Sequence, residues 1–342
     1  MKNKITGKTV LVSGGVGSIG AELVEQLVKT YSPKQVRILD NNEAGLFEAI
    51  RKYPNNKKLR FFLGDVRDKD RVMTALKGVD IVFHAAALKH VNLNEYSPFE
   101  SVKTNVIGTQ NMLKAALENK IEVFINVSTD KAANPTSTMG ASKLLAERLT
   151  AGMEYYKGKE KTVFTSVRFG NVLNSSGSVM PIFMEQIKAG GPITVTDKRM
   201  VRYFMTINEA VKLIFKAART AQGGEVFILK MPALKIWDLA EVMIEKYGNS
   251  KISIREIGKR PGEKLFEKIV TRTEAEQALE LNDMYVLPLA IDFPNKDEDA
   301  VNDSFKYYKK IGGKAVPNEG VKPKKLLSKA EIKKMLNKID LE

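Results

Sequence analysis

Thr129, Asp130 and Lys131 place a hydroxyl, a carboxylate and an amine on three consecutive residues, directly after the apolar run Val123–Val127. Such a trio can hydrogen-bond a substrate oxygen, move a proton to or from it, and draw a proton from an activated carbon. It falls where a parallel strand should end, which is where open α/β sheets bind ligands. Ser128, Thr129 and Asp130 also suit a helix cap, but a lysine beside the aspartate would then serve no purpose. Further along, Met139 and Lys143 lie four apart on a segment with helical patterning, hence on one helix face.

A second constellation is Ser13-Gly14-Gly15-Val16-Gly17-Ser18-Ile19-Gly20, in which glycines 14, 17 and 20 recur every third residue between a strand and a helix. Missing side chains let the backbone approach a pyrophosphate, and the helix start around Ser18 and Ile19 offers N–H donors and a positive dipole end. Asp40 closes the second strand 20 residues after Gly20. An acid there accepts hydrogen bonds from adenosine ribose hydroxyls and repels a 2′-phosphate, so the expected cofactor is NAD rather than NADP. The plainer reading of Asp40-Asn41-Asn42-Glu43 is a turn with a helix cap. Asp65 and Val66 follow the third strand and can hold the adenine edge. Ala85, Ala86 and Ala87 follow the fourth and are small enough for the chain to pass close to a cofactor.

These groups need a frame, and the sequence supplies one. Short runs rich in Val, Ile and Phe predict strands at Thr9–Ser13, Gln35–Leu39, Leu59–Leu63, Ile81–His84, Val123–Val127 and Val163–Arg168, with Glu225–Leu229 returning after a helix at Ile207–Thr220. Helical patterns lie between them near 18–30, 43–52, 69–76, 98–119 and 137–156, which is how βαβ units of a parallel sheet read. The fold class is therefore α/β, a doubly wound parallel sheet of Rossmann type. Pro and Gly punctuation rises at 170–192, 260–262 and 288–294. We expect residues 1–170 and 204–230 to form the nucleotide-binding domain, with 171–203 and 231–342 forming a smaller substrate-binding lobe that ends in a basic tail.

Composition excludes much else. There is no cysteine, so thiolate metal sites and disulfides are out; His84 and His90 are too few for a histidine-built metal centre. No apolar run approaches 18 residues, so no membrane span is expected, and with no signal-peptide pattern the expected location is cytoplasmic. Nearly half of the net charge of +15 sits at the end, where eleven lysines from Lys306 onward face four acids. Leu326, Leu327, Ile332, Leu336 and Ile339 recur there at roughly helical spacing. A solvated amphipathic terminus explains this better than nucleic-acid binding, because no aromatic residues interleave the last lysines.

The segments SGGVGSIG, FFLGDVRD, HAAALKHV, KTNVIGTQN, NVSTDKAANPTSTMGASK, VRFGNVLNSSGSV and KRPGEKLFE, in this order, resemble the nucleotide-sugar 4,6-dehydratases acting on UDP-N-acetylglucosamine, which are extended short-chain dehydrogenases/reductases. The likeness spans about residues 7–290. Relatives of this type carry Tyr-x-x-x-Lys at the place of Met139 and Lys143, the tyrosine serving as acid/base. Methionine cannot transfer a proton, so either the chain is inert or another group does that work. The resemblance implies oxidation at sugar C4, loss of water across C5–C6 and return of hydride to C6, with no net use of NAD. It assigns Thr129 to the 4-oxygen, Asp130 as general acid/base, Lys131 as the C5 base and Lys143 to the nicotinamide ribose. It also places Asn105 at the cofactor, and Lys89, His90, Asn171, Ser178, Arg199, Arg202, Arg260 and Glu263 around the UDP-sugar. Methionine and the 39–43 segment look more like the C5-retaining branch. A homo-oligomer is implied through helices near 98–119 and 137–156. A C5-inverting dehydratase, a UDP-sugar 4-epimerase and a noncatalytic NAD-binding sensor are the competing readings.

Overall fold

The structure, a computed structural model, describes residues 5–175, 177–288, 298–317, 320, 321, 323 and 325–337. Ser176, Ile339 and the 289–294 part of the proline-rich stretch lie outside the described residues. Six strands, β1 (Thr9–Ser13), β2 (Gln35–Asp40), β3 (Leu59–Leu63), β4 (Ile81–His84), β5 (Val123–Val127) and β6 (Val163–Arg168), pair in parallel in the order 3-2-1-4-5-6. Three short strands follow in the smaller lobe: β7 (Asn171–Val172), β8 (Ile193–Val195) and β9 (Val201–Met205). Then β10 (Val226–Leu229) joins β6 in parallel. β11 (Ala233–Lys235) pairs with β9 and β12 (Ile254–Glu256) with β8. β13 (Leu279–Glu280), β14 (Met284–Leu287) and β15 (Lys314–Ala315) extend the main sheet antiparallel, making ten strands.

The central strands β1, β4, β5 and β10 read as apolar runs because both sheet faces are covered there, while the edge strand β3 is partly exposed. Val10, Val12, Ile81, Phe83 and Ile125 point to one layer, with Leu23 and Leu27 of the Ser18–Thr30 helix and Ile214 and Phe215 of the Ile207–Thr220 helix. Their neighbours Leu11, Val82 and Phe124 point the other way, onto Val72, Leu76, Met112 and Leu113. This alternation is the period of two expected of a strand, and it produces a doubly wound sheet with the reversal of strand order between β1 and β4. The smaller lobe has its own core of Met180, Phe183, Ile193, Leu234, Leu239 and Met243.

Two details differ from a plain reading of the sequence. The helical stretch expected over 98–119 runs as Pro98–Ser101, a π-helical stretch over Val102–Gly108, and an α-helix over Thr109–Glu118. Thr109 Oγ1 donates to the Asn105 carbonyl at 2.7 Å, so a side chain competes for a backbone acceptor inside the π stretch. The basic tail is not splayed into solvent. A helix over Lys329–Leu336, capped by Ser328 and Glu331, buries Ile332 and Leu336 in the smaller lobe's core. Lys329 and Lys333 pair with Glu241 and Glu245 of the Ile236–Tyr247 helix.

Candidate active site

The glycine loop joins β1 to its helix at the sheet's switch point. Gly14 takes φ +67° and lies so close to the next crossover that a Cβ would sit 2.6 Å from the Ala86 nitrogen; at Gly20 a Cβ would sit 2.0 Å from the Gly14 carbonyl. Gly17 is the N-cap of the helix and gives its first turn no side-chain hydrogen bond. The Asp40 carboxylate is fastened beside this loop by the backbone N–H groups of Val16 (3.1 Å) and Asn42 (3.0 Å). The cap of the next helix is Asn42, not Asp40. This cradle has the shape and donor set for a dinucleotide.

Other residues read as cofactor contacts have partners within the protein. Asp65 is bound by the Arg67 guanidinium and by Asn41; burial opposes its ionisation, but these bonds hold it below the usual carboxylate range. Val66 is buried and touches Gly108. Asn105, fully buried, clamps the loop after Ala85–Ala87 by exchanging hydrogen bonds with the Leu88 backbone at 2.8 and 3.0 Å, and donates to Ser142. His84 lies beneath, between Ser13 (2.7 Å) and Thr109 (3.0 Å). Thr109 spends its proton on Asn105, so it must accept from His84 Nε2, and Nδ1 accepts from Ser13. Burial, reinforced by the nearby Lys143 charge, pushes the His84 pKa down to about 3, so this ring is a neutral joint.

Thr129, Asp130 and Lys131 sit on the short turn after β5. Asp130 is completely buried, and its Oδ1 accepts from Thr129 (3.0 Å) and from the Lys131 amine (3.0 Å). Its Oδ2 is buried with no partner among the described residues. Ser128, read from the sequence only as part of a possible helix cap, has a buried hydroxyl in the same condition. Lys131 also donates to Asn171 Oδ1 at 3.2 Å, which brings β7 to the trio. The Thr138–Tyr156 helix begins against this turn; a Cβ at Gly140 would stand 2.5 Å from the Lys131 carbonyl, so the helix start and the trio are in close contact. Met139 and Lys143 are both buried on that helix. Burial lowers the Lys143 pKa to about 8, which Glu147 one turn later partly opposes.

The smaller lobe closes on this turn through its 260–267 segment. Thr136 Oγ1 donates to the Gly262 carbonyl at 2.8 Å and Lys264 donates to the Ala133 carbonyl at 3.3 Å. Arg202 is buried and holds the same segment, donating to the carbonyls of Val201 and Leu265 with Glu263 3.8 Å away. Arg199 is paired with Asp197 but two-thirds exposed, and Arg260 is exposed. Lys89 and His90 are exposed on the loop after β4, where the His90 ring packs against Gly177, next to Ser178 at the start of the Val179–Lys188 helix. The Ser178 hydroxyl is buried without a partner among the described residues.

A group missed from the sequence links these parts. Arg168, at the end of β6, forms paired hydrogen bonds with Glu147 (3.1 and 2.7 Å) and with Glu274 (3.0 and 2.8 Å), and donates to the Ile269 carbonyl. Burial alone would weaken its charge, but the two carboxylates raise its pKa beyond that of free arginine. The one visible signal was Glu147, four residues after Lys143 on the same helix.

The sequence profile of the family described as polysaccharide biosynthesis protein matches residues 10–288. The chain belongs to this family. It is 52% identical, over 99% of its length and 98% of the relative's, to a Methanocaldococcus jannaschii protein named an uncharacterized membrane protein; among the described residues here, no helix is long and apolar enough to cross a membrane. It is 38% identical to a Campylobacter jejuni protein named UDP-N-acetylglucosamine 4,6-dehydratase (inverting), covering 85% of this chain and 86% of that one. It is 40% identical to a Rickettsia rickettsii protein named UDP-glucose 4-epimerase, covering 82% and 83%. Among solved structures of this fold, Pen from Bacillus thuringiensis superposes with a TM-score of 0.89 at 40% identity, covering 98% of this chain and 99% of that one.

Proposed function

We propose that this member of the polysaccharide biosynthesis protein family is an NAD-dependent UDP-N-acetylglucosamine 4,6-dehydratase. The observation that carries the reading is the buried Asp130 carboxylate, one oxygen engaged by Thr129 and Lys131 and the other without a partner among the described residues, on a helix-and-turn unit with methionine in the tyrosine place. The glycine cradle and Asp40 would hold NAD, which when bound would supply the hydride acceptor for sugar C4 and the hydride donor for C6.

The protein groups account for the remaining steps. Thr129 hydrogen-bonds the 4-oxygen, Asp130 accepts its proton, and the Lys143 cation eases the negative charge that develops there. The resulting 4-ketone acidifies C5–H, and Lys131 withdraws that proton. Asp130 gives the proton taken from the 4-oxygen to the departing 6-hydroxyl, so water leaves; Lys131 then reprotonates C5 and both residues return to their starting states. Arg199, Arg260, Lys89, His90 and Ser178 are our candidates for contacts to the UDP moiety. For C5 stereochemistry, the methionine and the 39–43 segment favour retention, while the name of the Campylobacter relative favours inversion. Exposed Phe99, Val102, Ile107, Leu145 and Tyr156 lie on the 98–118 and 138–156 helices and offer an apolar face to a second copy of the chain.

Epimerase activity is the second reading, favoured by the name of the Rickettsia relative. It would return hydride to C4 and would have no use for a C5 base. Incubation with UDP-N-acetylglucosamine in D2O separates the two. Loss of one water with one deuterium at C5 supports the dehydratase, and the H4–H5 region of the proton spectrum reads the configuration. A product of unchanged mass inverted at C4 replaces it with the epimerase, and no product from any UDP-sugar despite bound NAD leaves the sensor.

A further inference from the structure

We infer that Asn171 is a positioning residue for Lys131, a neutral acceptor that aims the amine without adding a charge that would keep it protonated. The inference rests on the dehydratase reading, in which Lys131 must be neutral to take the C5 proton.

Lys131 is a four-carbon side chain on a three-residue turn, still 23% exposed, and would sample many rotamers if held at one point. Two acceptors from different parts of the chain fix it: Asp130 Oδ1 at 3.0 Å, from its own turn, and Asn171 Oδ1 at 3.2 Å, from β7. The second anchor is itself rigid. Asn171 pairs in register with Phe204 of β9, and the next turn is fastened by the Leu173 N–H to the Met205 carbonyl. In this arrangement the Lys131 N–H donates to the carbonyl end of the Asn171 amide, and the NH2 end faces away.

The choice of asparagine over aspartate then has a chemical meaning. The two side chains have the same shape, but a carboxylate within 4 Å favours the charged form of an amine by about 1–3 pK units. Asp130 already supplies one such charge, and a carboxylate at position 171 would add a second. The other charged and titratable groups on elements packed against this turn are Lys143 on the Thr138–Tyr156 helix, the Lys264–Glu267 and Arg202–Glu263 pairs of the smaller lobe, and Tyr203 on β9. None of them is changed by a substitution at position 171.

The test compares wild type, Asn171→Asp and Asn171→Leu, each checked for folding by circular dichroism, with UDP-N-acetylglucosamine as substrate across the pH range. We expect Asn171→Asp to move the acid limb of the kcat profile up by about 1–3 pH units, and hence to cut elimination at neutral pH by about 10- to 1,000-fold. Transient absorbance of the reduced cofactor, which reports C4 oxidation and does not use Lys131, should be retained. Asn171→Leu, lacking any acceptor, should lower kcat at every pH and leave the limb in place. If Asn171 only contacts the nucleotide, Asn171→Asp will raise KM with the limb unmoved, and the inference is wrong. A wild type that neither reduces its cofactor nor loses water from this substrate overturns the dehydratase reading and this inference together.

Discussion

Replacing Lys143 by methionine should make the unliganded protein more stable while removing its turnover. Lys143 is 5% exposed, and burial takes its pKa from 10.5 to about 8. At 1.36 kcal/mol per pK unit, keeping that charge in the folded state costs about 3 kcal/mol. Methionine fills the same volume without the charge. The pH dependence fixes the sign. Below about pH 8 the lysine is protonated in both states and the full cost is present. Between about 8 and 10.5 the folded state binds fewer protons than the unfolded one, so wild-type stability rises with pH and the advantage of the variant shrinks. Urea unfolding of nucleotide-free wild type and Lys143→Met, followed by the fluorescence of Trp237 and by circular dichroism at several pH values, measures both effects. A variant no more stable than wild type at neutral pH, or a difference that does not narrow on going alkaline, refutes the reasoning.

Arg168→Met leaves Glu147 and Glu274 as uncompensated buried carboxylates, and should cost about 3–5 kcal/mol in urea unfolding; the triple change Arg168→Met, Glu147→Leu, Glu274→Leu should recover most of that loss. Gly20→Ala drives a methyl into the Gly14 carbonyl, so the loop must open; NAD affinity measured by calorimetry should fall by about 5- to 150-fold, the equivalent of 1–3 kcal/mol of overpacking. Ile332→Asp places a charge in the smaller lobe's core and should release the terminal helix, seen as rapid trimming of the tail by protease while NAD binding persists.

Some of this was legible in the chain and some could not have been. The six N-terminal parallel strands and β10 are visible because each is a short run rich in Val, Ile, Leu or Phe, the central ones buried on both faces. β13 and β15 are two residues long and exist only through their neighbours, so no local pattern marks them. Thr129, Asp130 and Lys131 are readable because the chemistry is contiguous. Arg168, Glu147 and Glu274 meet only in three dimensions, across separate elements. Residue type also fails to say whether a donor is free. Arg202 and Asn105 carry the groups a ligand needs, yet here both hold loops in place. Likewise the tail's lysines could be counted, but Glu241 and Glu245, which take up two of them, lie almost ninety residues earlier.

The turn that carries Thr129, Asp130 and Lys131 is held largely through main-chain acceptors: Thr136 reaches the Gly262 carbonyl and Lys264 the Ala133 carbonyl, joining it to the smaller lobe, and Gly140 of the following helix rests on the Lys131 carbonyl. Anchors of this kind are indifferent to which side chains stand at 129, 130, 131 and 139. Evolution can therefore exchange the reactive groups while the frame stays put, and relatives of near-equal likeness to this chain can carry the names of a dehydratase and of an epimerase. In a lineage built this way, overall similarity tracks the scaffold, and the reaction has to be read from a handful of positions.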